Sequence, residues 1–319
     1  MKVLELVALM ASAFCTPLPC GAKQPAALTT LYSFTGESGD GASPYAGVVA
    51  ASNGILYGTT GFGGMFGAGT VYKLTPPVQG GGWTETVLYS FSGGSDGGYP
   101  QGGVVIGPSG SLYGATLFGG VSGMGAVFSL TPPAVEGGDW TESPIFSFSG
   151  SDGAYPYAGP IGASGGVLYG TTELGGTLGY GAVYQLTPPA AGKEWTETVL
   201  YNFTGETDGA FPYAGVAIDT KGDLYGSATY GGTSQMGVVF ELIPQGGGGD
   251  WSETVLHAFN GSDGGFPNSG VAIGTSGSLY GTTPGGVGAG AGTALVFPRS
   301  HPAPPGPQRP GPHERADHP

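Results

Sequence analysis

The stretch Leu168-Tyr169-Gly170-Thr171-Thr172 is followed by Gly175-Gly176, by Val183-Tyr184-Gln185-Leu186-Thr187-Pro188 and by Trp195-Thr196-Glu197-Thr198-Val199-Leu200-Tyr201. This order of motifs returns along the chain with a fixed beat. The tyrosines of the Leu-Tyr-Gly triplets are Tyr57, Tyr113, Tyr169, Tyr225 and Tyr280, spaced 56, 56, 56 and 55 residues apart. The Asp-Gly aspartates (Asp40, Asp96, Asp152, Asp208, Asp263) and the prolines Pro44, Pro100, Pro156, Pro212 and Pro267 keep the same spacing. Trp83, Trp140, Trp195 and Trp251 follow nearly the same beat, spaced 57, 55 and 56 residues apart. A self-similar period of this length marks a repeat architecture.

Each unit holds four short β-prone runs bounded by Gly, Pro or Asp. In the second unit these are Gly103 to Ile106, Ser111 to Thr116, Ala126 to Leu130 and Trp140 to Phe148. They are rich in Val, Tyr, Phe, Trp and Thr, which suit a pleated, half-buried surface. None repeats apolar residues at helical spacing for the length a helix needs. Four strands per unit of about this length predict an all-β, five-bladed β-propeller. The rival is a β-solenoid, whose coils are usually about 20 to 30 residues long. The first copy, Leu28 to Phe34, carries only the tail of the Trp-containing strand, and the last copy stops at Phe297. The fifth blade therefore lacks an outer strand. Leu28 to Phe34 is expected to supply it beside Thr293 to Phe297, closing the ring and covering the open edge.

These motifs resemble the GloVer tandem repeat over residues 28 to 297. That repeat occurs in bacterial surface or secreted proteins whose C-terminal anchor varies. The resemblance implies export, surface display and a propeller, and it brings no catalytic residues. No anchor is recognisable at the C-terminus here.

Glycine and proline make up 95 of 319 residues, and only 9% are charged. Between Leu28 and Phe297 there are three lysines, no arginine and nineteen acidic residues, a net charge of −16. Phosphate backbones need cationic partners, so nucleic acid and anionic membranes are poor candidates as partners. Lys2 followed by the apolar run Val3 to Phe14 reads as a secretion signal over residues 1–22, with small-residue cleavage sites at Ala13 or Ala22. Both cysteines, Cys15 and Cys20, lie in or beside it, which leaves the mature fold without a disulfide. Pro17-Leu18-Pro19 is a poor lipobox ahead of Cys20. No later apolar stretch is long enough to span a bilayer. Residues 298–319 hold eight prolines and all three arginines, and read as a disordered tail. The break in register at Pro298 points to a frameshift or truncation.

Each candidate site competes with a plainer role. The five Asp-Gly aspartates could ligate calcium, but each copy offers one carboxylate, and Asp-Gly also makes a turn. The tryptophans could stack on sugars, yet their repeated position favours packing between blades. Glu85, Glu142, Glu197 and Glu253 could serve a glycosidase, but that chemistry needs two carboxylates in unlike environments, so a solvated strand face is expected. The pairs Gly63-Gly64, Gly119-Gly120, Gly175-Gly176, Gly231-Gly232 and Gly285-Gly286 lack the lysine and helix of a phosphate loop, and read as turns. His257, the one histidine of the repeat region, has no second ligand for a metal. The carboxylates that break the repeat are Glu37, Glu173, Glu206, Asp219 and Asp223.

No catalytic residue, metal or cofactor is expected. The reading is a monomeric, exported, non-catalytic binding or display module with a glycan or surface protein as its partner. The alternative is a polysaccharide-acting propeller hydrolase. Any ligand should bind where the loop into each blade and the loop between its second and third strands emerge together. The first set carries Tyr45, Tyr157 and Tyr213, and the second carries Phe66, Met124, Tyr180 and Met236. Exposed apolar groups that vary between uniform copies suit a binding patch.

Overall fold

Every Leu-Tyr-Gly triplet falls in the second strand of a meandering antiparallel sheet. The first blade is built from Val49–Ala50, Leu56–Thr60, Thr70–Thr75 and Thr84–Ser90, paired in that order. The second repeats it with Val105–Ile106, Leu112–Thr116, Ala126–Thr131 and Thr141–Ser147. The third and fourth are also four-stranded, and together the five sheets form a β-propeller. Only two short 3-10 turns, Pro108–Gly110 and Ser164–Gly166, interrupt the β structure of the described residues. This is a computed structural model. It describes residues 28–298, apart from 38, 79, 136, 191–192, 247–249 and 286–291. The expected signal at 1–22 with Cys15 and Cys20, the tail beyond Pro298, and Gly286 lie outside the described residues. No helix among the described residues is long and apolar enough to cross a membrane.

The core lies between blades rather than within one. Val71 and Phe91 of the first blade pack with Leu112, Phe128 and Leu130 of the second. Equivalent clusters join the second blade to the third, the third to the fourth and the fourth to the fifth. The triplet glycine makes this packing possible. A Cβ on Gly114 would stand 2.4 Å from the Phe128 ring, and one on Gly170 would stand 2.4 Å from Tyr184. Glycine is needed there for close approach, not for a left-handed backbone. The tryptophans pack as expected: Trp140 lies edge-on to Tyr57, Trp195 to Tyr113 and Trp251 to Tyr169, at 5.8–6.1 Å.

The fifth blade departs from expectation. Among the described residues it has three strands, Ala272–Ile273, Leu279–Thr283 and Thr293–Phe297, and the last pairs only with the second. The expected pairing of Leu28 to Phe34 with that edge is not formed, because residues 28 to 34 carry no strand. The chain divides into two units, Met1–Leu31 and Tyr32–Pro319. Within the second unit, local ties hold the start of the fold instead. Phe34 packs edge-on against Tyr72 at 4.8 Å, and the Thr35 N–H donates to Asp40 Oδ2 at 2.7 Å. Such contacts close short loops, whereas pairing with Thr293–Phe297 would have to close nearly the whole fold at a larger entropic cost.

Candidate functional site

The loop into each blade begins at its Asp-Gly turn. Asp96 Oδ2 accepts from the Ser92 N–H at 2.7 Å and from the Tyr89 hydroxyl at 3.1 Å. Asp208 does the same with Thr204 and Tyr201, and Asp263 with Asn260 and His257. Burial alone would raise Asp96, but these hydrogen bonds hold its carboxyl below the usual range. The aspartates thus serve the turns, as expected.

After the turn, an aromatic residue precedes the recurring proline with a left-handed backbone: Tyr99 (φ 58°), Tyr155 (57°), Phe211 (54°) and Phe266 (57°). Bulky side chains rarely adopt this conformation. It is held by the neighbouring loop. The Tyr99 N–H donates to the Ala68 carbonyl, Tyr155 to Met124, Phe211 to Tyr180 and Phe266 to Met236, at 2.7–2.9 Å. The residue after each proline lines one shared cavity.

Those residues are Tyr45, Gln101, Tyr157, Tyr213 and Asn268, one per blade. They converge on a mouth of about 560 Å³, floored by backbone at Gly103, Gly159, Gly215 and Gly270. Tyr157 and Tyr213 touch edge to face at 5.2 Å. The structure therefore brings together three of the expected ligand residues, Tyr45, Tyr157 and Tyr213. It adds Gln101 and Asn268, which sequence reading passed over because they are not aromatic. Their common register, one residue after the proline, was the signal available.

The remaining expected residues divide in two. Phe66 is exposed at a loop tip beside Met65, as is Leu178. Met124, Tyr180 and Met236 share a different position, the residue whose carbonyl receives the next loop. Met124 and Met236 pack against the clusters between blades, and Tyr180 lies on Phe211 at 5.8 Å. None of these lines the mouth.

With this geometry, the family match can be read. The Gloeobacter/Verrucomicrobia repeat matches residues 22–189 and 108–300. The chain belongs to that repeat family. No curated protein matches it. Among solved structures, a protein of unknown function from Dyadobacter fermentans is 13% identical with a TM-score of 0.41, over 79% of this chain and 77% of its own. A putative oxidoreductase (glucose dehydrogenase) from Thermus thermophilus is 18% identical with a TM-score of 0.39, over 81% and 85%. Neither likeness is near enough to carry an argument about function.

One expectation about the Gloeobacter/Verrucomicrobia repeat is overturned. Its outer-strand glutamates are not on a solvated face. Oε1 of Glu85, Glu142, Glu197 and Glu253 is buried without a hydrogen-bond partner. Burial pushes each carboxyl up to about 7, helped by Asp40, Asp96, Asp152 and Asp208 respectively. Each of these aspartates opens the loop into the glutamate's own blade, a proximity which the sequence of one strand cannot reveal. Of the carboxylates that break the repeat, Asp219 caps its own turn, accepting from the Lys221 N–H at 2.8 Å. Glu173 lies in the loop between second and third strands, beside the Tyr213 hydroxyl. Burial, and then Glu173, push that phenol up to about 12.

Proposed function

We propose that this repeat protein is an exported, non-catalytic binding module that takes its ligand at the mouth of the propeller. The observation that carries this reading is the convergence of Tyr45, Gln101, Tyr157, Tyr213 and Asn268 on one cavity. Ligand sites commonly combine aromatic faces with a few placed amides and backbone groups. Amide and ring together suit a glycan, whose hydroxyls need partners and whose C–H faces need apolar cover.

One observation favours hydrolysis instead. Each buried glutamate stands near an aspartate of unlike environment, as at Glu142 and Asp96. Against it, one oxygen of each glutamate is buried, and the four near-equal copies do not line the mouth. A structural role accounts for them better. The experiment is a glycan array probed with the full chain, then with a variant carrying Tyr45→Ala, Tyr157→Ala and Tyr213→Ala. Binding lost in a folded variant supports the mouth. Binding retained there, or cleavage of the bound glycan by the parent chain, overturns the reading.

A further inference from the structure

Beside the axis, the mouth opens into a second cavity of about 400 Å³ between the third, fourth and fifth blades. Its walls are the rings of Tyr157, Tyr213, Tyr230 and Phe266, with Thr229, Asn268 and Pro284 between them. Tyr230 and Phe266 meet at 5.4 Å and Tyr157 and Tyr213 at 5.2 Å, so two ring pairs face one space. The Thr229 hydroxyl donates to the Pro267 carbonyl at 2.8 Å, tying the wall that carries Tyr230 to the loop that carries Phe266.

The third blade supplies something the others do not. Where the first, second, fourth and fifth have Gly61, Leu117, Thr229 and Pro284, it has Glu173. Thr229 and Pro284 both line the cavity, and Glu173 reaches it through the Tyr213 hydroxyl. Among the described residues the one side-chain ion pair is between His257 and Asp263, so Glu173 has no cationic partner there. The loops on this face carry the five Asp-Gly aspartates and no lysine or arginine. Lys193 and Lys221 sit in the loops of the opposite face, and Lys73 in a third strand. The potential around the mouth is therefore negative, and it steers cations toward it.

From this arrangement we propose that the cavity walled by Tyr157, Tyr213, Tyr230 and Phe266, with Glu173 at its edge, binds an organic ammonium group bearing alkyl substituents. The negative faces of the rings attract a cation, and the methyl groups of a quaternary ammonium match their apolar surface. A divalent metal is the wrong guest, because it needs a shell of six or more oxygen ligands, usually with several carboxylates, and Glu173 is the one carboxylate placed at this cavity. This deepens the proposed function and rests on the mouth being a binding face.

The test titrates the full chain with tetramethylammonium chloride and choline, following tyrosine fluorescence, against sodium chloride at equal ionic strength. The neutral isostere of choline, 3,3-dimethyl-1-butanol, is the control. Saturable binding of both cations and none of the neutral alcohol is expected. Tyr230→Leu, which removes a ring already 44% exposed, should weaken binding about fivefold or more while the chain stays folded at the temperature of the titration. Glu173→Gln should weaken it about threefold to tenfold at low salt. Phosphatidylcholine vesicles and a trimethyllysine peptide then tell whether a lipid headgroup or a peptide side chain carries the group. Equal binding of the neutral alcohol, or cation binding unmoved by both variants, overturns the proposal. Glycan binding that needs Tyr45 while tetramethylammonium does not bind overturns the cation site alone. Absence of both overturns the mouth as well.

Discussion

Trp195 packs edge-on against Tyr113 of the preceding blade, with ring centroids 5.8 Å apart. The same pairing recurs at Tyr57 with Trp140 and at Tyr169 with Trp251. Tyr280, the fifth copy, makes no ring contact among the described residues and is 48% exposed. Trp195→Ala should therefore cost about 1–3 kcal/mol, since it removes a half-buried ring from an interface. Tyr280→Ala should stay within about 0.5 kcal/mol. Urea denaturation of the two variants checks this. A similar loss in both would mean that the fifth blade is covered as fully as the others.

The triplet glycines make a second contrast. Gly114→Ala forces a Cβ against the Phe128 ring and should cost about 1–3 kcal/mol through overpacking. At Gly281 the nearest atom to such a Cβ is Val271, at 3.8 Å, because Leu295 replaces the ring across the sheet. Gly281→Ala should be neutral or slightly stabilising, since it also limits the unfolded chain. Melting curves of the pair would settle it, and equal destabilisation would count against the packing argument.

The buried glutamates predict an unusual pH profile. In the unfolded chain these groups ionise near 4.5, and in the folded protein near 7. Between those values the folded state holds the extra protons, so stability falls as pH rises from about 4.5 to about 7, then levels off. Glu142→Gln should raise the melting temperature at pH 8 and leave it nearly unchanged at pH 4.5. A variant that melts lower than the parent at pH 8 would contradict the burial of an unpaired carboxylate.

Loop tip and loop root should respond differently. Phe66→Ser, at an exposed tip, should leave stability within about 0.5 kcal/mol. Met236→Ser places a hydroxyl where a thioether packs against the cluster that holds Phe259 and Val271, and should cost about 2 kcal/mol or more. Thermal denaturation of the two single variants reads this directly. Equal effects would show that the two positions are not distinguished by packing.

Much of the fold was legible in one dimension. Leu112 at the centre of a β-prone run, Gly114 two residues later and Asp96 at the preceding turn each state a local requirement: a buried side chain, a close approach, a self-bonded turn. Repetition at 56-residue spacing repeats those requirements until only a ring of similar sheets meets them all. Trp195 was readable as a packing residue because its position recurs with the blade.

What the sequence by itself determined, then, was the strand order, the blade length and the turn chemistry, because each depends on residues near one another in the chain. Only the tertiary structure decided that Tyr45, Gln101, Tyr157, Tyr213 and Asn268 share one mouth. It alone put Glu173 beside Tyr213 and half-buried Glu142 near Asp96. Among the described residues it also left the edge at Thr293–Phe297 without a fourth strand. These relationships join residues one or more blades apart. A period along the chain shows that positions are equivalent, but the distances between equivalent positions are set by how the blades pack around the axis.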